Sequence, residues 1–260
     1  NLFESAQARA IADWLVGMNI SRLYSCLYQQ NYSVGRVQTP TLYMIVKRDD
    51  EISNFKKEKY YTVELSMNGF TLSTDRIDDE VAAEQLISLV GDKIEITDII
   101  QKEKTTKPDL PFDLTMLQRE CNKYFGYSAK QTLDYAQSLY EKKLITYPRT
   151  DSRCLTEDMI VSTVNNILGK NDFDTERIKV VFNSKKVTDH HAIIPTISSV
   201  KEDISELPLS EAKVYFLISD KFHASVGYPL IENTTKIVAS FDGFEFTSSG
   251  KVIKDEGFSK

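Results

Sequence analysis

The chain has 260 residues, of which 41% are hydrophobic and 27% are charged, and its net charge is −6. Because single hydrophobic cores rarely grow much beyond this length, two or three domains are expected. No apolar run approaches the roughly 20 residues that cross a bilayer, which argues against a membrane role. The acidic total also argues against a nucleic-acid binder that is basic over its whole surface.

The cysteines indicate a reducing compartment. Cys26, Cys121 and Cys154 are far apart and form no CxxC pair, so neither a disulfide framework nor a zinc ribbon is expected. A cytoplasmic protein fits this usage. The chain begins at Asn1 without an initiator methionine or a signal peptide, so we expect an excised fragment of a longer protein.

Residues 1–58 are predicted to form a helical base segment. Apolar residues recur at helical spacing from Ile11 onward, and a turn is expected around Gly35. A second helix should begin at Thr39 as N-cap, with Pro40 in its first position.

Residues 59–107 and 226–260 are predicted to form one discontinuous β-rich hinge domain. Alternating apolar residues flank an Asn68-Gly69 turn, and a further alternating strand covers 93–97. A last hairpin is expected around Asp242-Gly243.

The helical gate domain is predicted at 108–225, inserted between the two parts of the β domain. Ser128 and Gln131 form a capping box, and the helix that follows should run to about Leu144. Its buried stripe is expected to contain Leu133, Ala136 and Tyr140. The fold class is therefore mixed α and β, with several domains.

The segment ITYPRTDSR at 145–153 has residue types that suit phosphate chemistry. Pro148 disfavours a helical conformation at Tyr147, so the tyrosine should lie in an extended segment. Arg149 can hold two phosphate oxygens with its planar guanidinium. Making a phenolate near neutral pH costs roughly 4 kcal/mol, which nearby cations must offset. With 13 tyrosines in the chain, packing is the alternative role for any one of them.

Three segments in the same order resemble the type IA DNA topoisomerases. They are SVGRVQTP at 33–40, ITYPRTDSR at 145–153 and HHAIIPT at 190–196. The residues from Ala8 to Asn19 also resemble the part of that family that follows its metal-binding domain. Pro148 and the His-His form of the third segment are more similar to topoisomerase III than to topoisomerase I.

The resemblance implies specific roles for these residues. Tyr147 would form a 5′-phosphotyrosine link, Arg149 would hold the scissile phosphate, and His190 would assist through the DNA backbone. The DNA-binding residues implied by the three motifs and their neighbours are Ser33, Arg36, Gln38, Thr39, Lys143, Thr150, Ser152, Arg153 and His191.

The resemblance also implies the partners and cofactors. The complete bacterial enzyme would act on single-stranded DNA as a monomer, with Mg²⁺ bound by ligands outside this chain and with a helicase as a candidate partner in the cell. No metal ligands are expected here: adjacent His190 and His191 tend to point apart. ATP is not expected, because no GxxxxGK[ST] loop occurs and transesterification conserves the bond energy. The fragment alone should be inactive.

Two other classes of function stay open at this stage. One is a non-catalytic single-stranded DNA-binding module that uses the tyrosine motif as a phosphate site. The other is an interaction protein that docks a basic partner on residues 61–100, which contain 2 basic and 9 acidic side chains.

Overall fold

The computed structural model describes residues 2–91, 93–169, 173–199 and 204–259. The outer bounds expected for the first and last domains, 1 and 260, lie outside these ranges. By contacts the chain divides into two compact units: 1–61 with 78–80, and 62–77 with 81–260. Each unit is described by itself.

The first unit contains two helices, α1 (Leu2–Tyr28) and α2 (Gln38–Ser53). The segment between them lies along α1. Its Val34 amide donates a hydrogen bond to Ser21 Oγ (2.9 Å), and its Tyr32 amide donates one to Ser25 Oγ (3.0 Å). No residue of α1 is buried, so its apolar side chains add little to a core within this unit.

The expected start of α2 is wrong by two residues. The helix begins at Gln38, after Val37, so Pro40 occupies its third position rather than its first. The Thr39 hydroxyl does not cap the helix; it accepts a hydrogen bond from the Gly35 amide (3.1 Å). Proline is still tolerated there, since amides of the first helical turn have no partner within the helix.

The second unit contains an antiparallel sheet of five strands, which are β1 (Glu64–Ser66), β2 (Thr71–Thr74), β3 (Glu95–Thr106), β4 (Leu230–Phe241) and β5 (Phe244–Asp255). Their order in the sheet is β1-β2-β5-β4-β3. The β1–β2 hairpin turns at Gly69 (φ 99°), and the β4–β5 hairpin turns at Asp242 and Gly243. The latter two have φ of 47° and 80°, as a tight two-residue hairpin turn requires. The helix α3 (Glu80–Leu89) lies in the chain between β2 and β3.

The helical region lies in the chain between β3 and β4, which pair along almost their whole length. The mixed α and β fold with a helical insertion is thereby confirmed. Its helices are α4 (Leu114–Phe125), α5 (Ala129–Glu141), α6 (Ile160–Thr163), α7 (Thr175–Val181) and α8 (Leu209–Ser225). The residues 107–113 join β3 to α4 and are called the linker below.

Two apolar cores form within the helical region. The first packs α4, α5 and α8 around residues such as Leu117, Leu139 and Ile218. The second packs α7 and the end of α8 around residues such as Val181 and Phe222. Extended segments that contribute to both cores lie between them.

The helix that precedes the tyrosine segment begins as predicted and ends earlier. The capping box of Ser128 and Gln131 is present at the start of α5. The helix ends at Glu141 rather than near Leu144, because Lys143 adopts a left-handed conformation (φ 62°). Its buried stripe also differs from the prediction: Thr132, Ala136 and Leu139 are buried, Leu133 is half-buried, and Tyr140 is 39% exposed.

No helix in the described parts of the chain is long and apolar enough to cross a membrane.

The burial of two thiols predicts how the cysteines react. Burial raises the pKa of Cys121 to about 11 and also raises the pKa of Cys154, whereas Cys26 is exposed. Since the thiolate is the reactive form, about 0.1% of Cys121 would be reactive at pH 8. With a thiol reagent at pH 8, we expect native protein to react at Cys26, and at the other two only after unfolding. Rapid labelling of Cys121 in native Cys26→Ser protein would contradict this packing.

Candidate active site

Tyr147 lies in an extended segment that leaves the C-terminal end of α5. Lys143 reverses the chain, and the next residues pair with the HHAIIPT segment through an isolated bridge between Ile145 and Pro195. Pro148, next to the tyrosine, is buried. The structure thus places Tyr147 outside a helix, as its following proline indicates.

Two threonines attach this segment to residues 190–196. The Thr146 hydroxyl donates to the Ala192 carbonyl (3.0 Å) and accepts from the Ile194 amide (3.0 Å). The Thr150 hydroxyl donates to the His190 carbonyl (2.9 Å). These bonds lie on both sides of Tyr147 in sequence, so the backbone that carries it is held at two points.

The ring of Tyr147 lies between two other rings. Its centroid is 4.6 Å from that of His190 and 5.3 Å from that of Tyr140, with interplanar angles of 55° and 72°. Tyr147 is half-buried and His190 is exposed. An open cavity of about 490 Å³ adjoins the ring, lined by Tyr140, Glu141, Lys143, Ile145, Thr146, Tyr147, His191 and Thr196.

Arg149 is exposed and follows Tyr147 by two residues. Within the described residues it has no hydrogen-bond or ion-pair partner, so its guanidinium is available to a ligand. The nearby Asp151 carboxylate instead accepts a hydrogen bond from the Thr188 hydroxyl (2.6 Å). His191 is half-buried, with Nδ1 2.9 Å from the Ala192 carbonyl. A proton on Nδ1 would give that carbonyl a second donor beside the Thr146 hydroxyl and leave Nε2 as an acceptor.

The other polar residues of the motif face the protein. Thr150 and Ser152 are 8% and 3% exposed, and the Ser152 hydroxyl lies 3.2 Å from the Lys186 carbonyl. The half-buried Arg153 donates to the carbonyls of Leu110 and Pro111. The DNA contacts of these three residues stay predictions, and their present bonds are all to protein.

The residues of the SVGRVQTP segment belong to the first unit. Arg36 Nε donates to Asp13 Oδ1 (2.7 Å), which raises the pKa of Arg36 and lowers the pKa of Asp13. Gln38 Nε2 donates to Ser33 Oγ (2.9 Å). Arg36, Gln38 and Ser33 are thus held by contacts within that unit.

The comparisons with known proteins agree with the three motifs. The family model for DNA topoisomerase matches residues 1–260. The chain belongs to the DNA topoisomerase family. DNA topoisomerase 3 of Bacillus licheniformis and that of Bacillus subtilis are each 37% identical to it over 279 residues, covering 99% of this chain and 38% of theirs. The structure of full-length topoisomerase I from Thermotoga maritima matches with a TM-score of 0.77 and 26% identity, covering 98% of this chain and 44% of that one.

The resemblance to type IA topoisomerases, and to topoisomerase III within them, is confirmed. The chain spans 38% of the length of the two Bacillus relatives. The activity, substrates and partners of a whole protein are therefore proposals.

The donor groups around Tyr147 do not fit a magnesium site. Within the described residues no three His, Cys, Asp or Glu side chains are grouped so that they could hold a metal ion. Asp151, the acidic residue of the motif, is bound to Thr188. That magnesium ligands lie outside this chain stays an expectation.

Sequence reasoning missed three residues that shape these sites. Tyr140 was assigned to the core, Asp13 was not singled out, and Thr146 was quoted in the motif without a role. The helical periodicity only weakly indicates whether Tyr140 is buried, because Tyr140 lies at the edge of the buried stripe, one residue after Leu139. The Asp13 contact with Arg36 spans 23 residues and had no local signal.

Replacing Thr150 by valine should loosen the tyrosine segment. The change removes the donor to the His190 carbonyl and the acceptor of the Ser152 amide (3.0 Å), and it leaves both groups without that partner. A loss of about 1–3 kcal/mol in the free energy of unfolding is expected. Denaturant unfolding would measure it, with Thr150→Ser as the control that keeps the hydroxyl. Equal stability of the Val and Ser variants would contradict this role.

Proposed function

We propose that the full-length protein cuts and rejoins one strand of single-stranded DNA, with Tyr147 as the nucleophile. The observation that carries the proposal is the placement of Tyr147 between His190 and Tyr140, with the exposed Arg149 two residues away. This geometry favours catalysis because the phenol of Tyr147 is held in place next to an open cavity, and Arg149 is a nearby cation that can bind a phosphate.

The proposed reaction is a reversible transesterification. The phenol of Tyr147 loses its proton as its oxygen attacks the phosphorus, the bond from phosphorus to the 3′ oxygen breaks, and that oxygen takes up a proton, so the number of protons is unchanged. The phosphate stays on the tyrosine as a 5′-phosphotyrosine. Rejoining reverses these steps, so the bond energy is conserved and ATP is not needed.

Arg149 and His190 are proposed to act on the phosphate. The guanidinium of Arg149 can donate two parallel hydrogen bonds to phosphate oxygens and stabilise the charge that develops on them. His190, in contact with the Tyr147 ring, is near enough to bind the same or a neighbouring phosphate. Magnesium in the complete enzyme is proposed from the resemblance alone.

DNA contacts are proposed within each unit separately. Arg36, Gln38, Ser33 and Thr39 would bind DNA in the first unit, and Lys143 and His191, which line the cavity beside Tyr147, would bind it in the second. Passage of another strand through the cut would change DNA topology, which agrees with the name DNA topoisomerase 3 of the relatives.

The nucleophile is tested with an end-labelled single-stranded oligonucleotide and full-length protein in magnesium. We expect a covalent protein–DNA adduct that Tyr147→Phe abolishes, because phenylalanine keeps the ring and lacks the attacking oxygen. Tyr124→Phe, at an exposed position on α4, is the matched control and should keep the adduct. An adduct that persists in Tyr147→Phe would reject this nucleophile. Binding without any adduct in the wild type would favour the non-catalytic binding module.

The 260-residue chain alone is expected to leave supercoiled DNA unchanged, whereas the full-length protein relaxes it. The reason is that the chain covers 38% of the length of its relatives and its described residues offer no metal site. Gel electrophoresis of plasmid DNA with each protein measures this difference. The contrary result would be relaxation by the 260-residue chain that is lost in its Tyr147→Phe variant. It would show that the part of the full-length protein outside these 260 residues is dispensable.

A further inference from the structure

Arg153 belongs to the tyrosine motif but binds the linker 107–113. Its Nη2 donates to the Leu110 carbonyl (2.9 Å), and its Nε donates to the Pro111 carbonyl (3.1 Å). The acceptors belong to consecutive residues of a segment outside any strand or helix. Two carbonyls that lack a ladder partner are thus satisfied by one planar side chain, a geometry that lysine cannot reproduce.

The linker is held by two more cations at adjacent residues. Arg177, which is 8% exposed, donates to the Pro108 carbonyl (2.7 Å) and to the Ser225 carbonyl (3.2 Å). Lys221 Nζ binds the Asp109 carboxylate (3.2 Å). Every residue from 108 to 111 is therefore bound by a basic side chain through its carbonyl or its carboxylate.

These contacts connect the tyrosine segment to both strands that border the helical insertion. The linker follows β3, and Ser225, the second acceptor of Arg177, ends α8 shortly before β4. At its other end, the linker's Phe112 carbonyl accepts from the Ile193 amide (2.8 Å), and the Leu114 amide donates to the Thr150 carbonyl (3.1 Å). Arg153 thus adds side-chain hydrogen bonds to a series of contacts that connects the sheet to the backbone around Tyr147.

We propose that Arg153 is a positioning residue for Tyr147 that acts by holding the tyrosine segment against the linker 107–113. It does so without contacting DNA. A displacement of about 1 Å at a reacting group can cost roughly 100-fold in rate. The contact between Arg153 and the linker therefore affects the rate of cleavage more than the affinity for the strand. The inference rests on the proposed function of Tyr147 and adds a role that differs from the phosphate contact of Arg149.

The test compares full-length Arg153→Ala with Arg149→Ala and with Arg119→Ala, an exposed arginine on α4 that controls for loss of one positive charge. Single-turnover cleavage at saturating oligonucleotide gives the rate of the chemical step. Binding at several salt concentrations gives the slope of log affinity against log salt. Losing one phosphate contact to a single strand lowers the magnitude of that slope by about 0.7.

For Arg153→Ala we expect cleavage to slow by about tenfold to 100-fold, while affinity and salt slope match those of Arg119→Ala. For Arg149→Ala we expect the slope to fall in magnitude by about 0.7. A similar fall in Arg153→Ala would show a phosphate contact and overturn the proposal, as would a cleavage rate within about twofold of the wild type. Failure of the proposed function is distinct, because the wild type itself would then give no adduct dependent on Tyr147.

Arg153→Lys separates positioning from general stability and serves if Arg153→Ala does not fold. Lysine keeps the charge but presents a single ammonium group, so it cannot reproduce the paired contact with two carbonyls. We expect Arg153→Lys to stay folded at the assay temperature, since an ammonium group can still bind one of the two carbonyls, and to cleave more slowly at saturating DNA. Full cleavage by Arg153→Lys would show that charge alone suffices and would also reject the paired contact.

Discussion

The site depends on how an extended segment satisfies its backbone polar groups inside the protein. Residues 145–155 contain no regular helix or strand, yet several of them are buried. Buried amides and carbonyls need partners, since an unpaired one costs about as much as a lost hydrogen bond. Here the Thr146 amide and the Cys154 carbonyl pair with the backbone of residues 190–196, and the Thr150 carbonyl accepts from the Leu114 amide at the start of α4. The geometry around Tyr147 follows from these bonds, so residues that never meet a substrate still determine it.

Packing fixes the position of residues 190–196, to which the tyrosine segment is bonded. Because side chains alternate along an extended chain, Ile193 enters one core of the helical region, and Ala192 and Ile194 enter the other. A shift by one residue would exchange these side chains between the two cores. Thr146 bonds to the backbone of this same stretch. The burial of these apolar side chains in the two cores therefore also fixes the position of Tyr147.

Features that depend on neighbouring residues could be predicted from the sequence, and features that depend on distant ones could not. The capping box at Ser128 and the Asp242-Gly243 turn are determined within four residues, and both are present. The start of α2 failed because the Thr39 hydroxyl binds the Gly35 amide instead of capping the helix. Tyr140 was misplaced because helical phase alone does not distinguish the edge of a buried stripe from its centre. The acceptors of Arg153 lie 42 and 43 residues away along the chain, beyond any local pattern.

Arg149 and Arg153 show why the residue types of a motif do not assign its roles. Both have the same charge and belong to the same nine-residue segment, so sequence reasoning gave both a contact with DNA. In the structure Arg149 is exposed and has no partner among the described residues, whereas Arg153 is half-buried and binds two carbonyls. Two of the five N–H donors of Arg153 are bonded to the backbone, and a movement of the side chain away from the linker would leave those two carbonyls without these bonds. The two arginines of the motif therefore differ in environment: the guanidinium of Arg149 is exposed, and that of Arg153 is bonded to the linker.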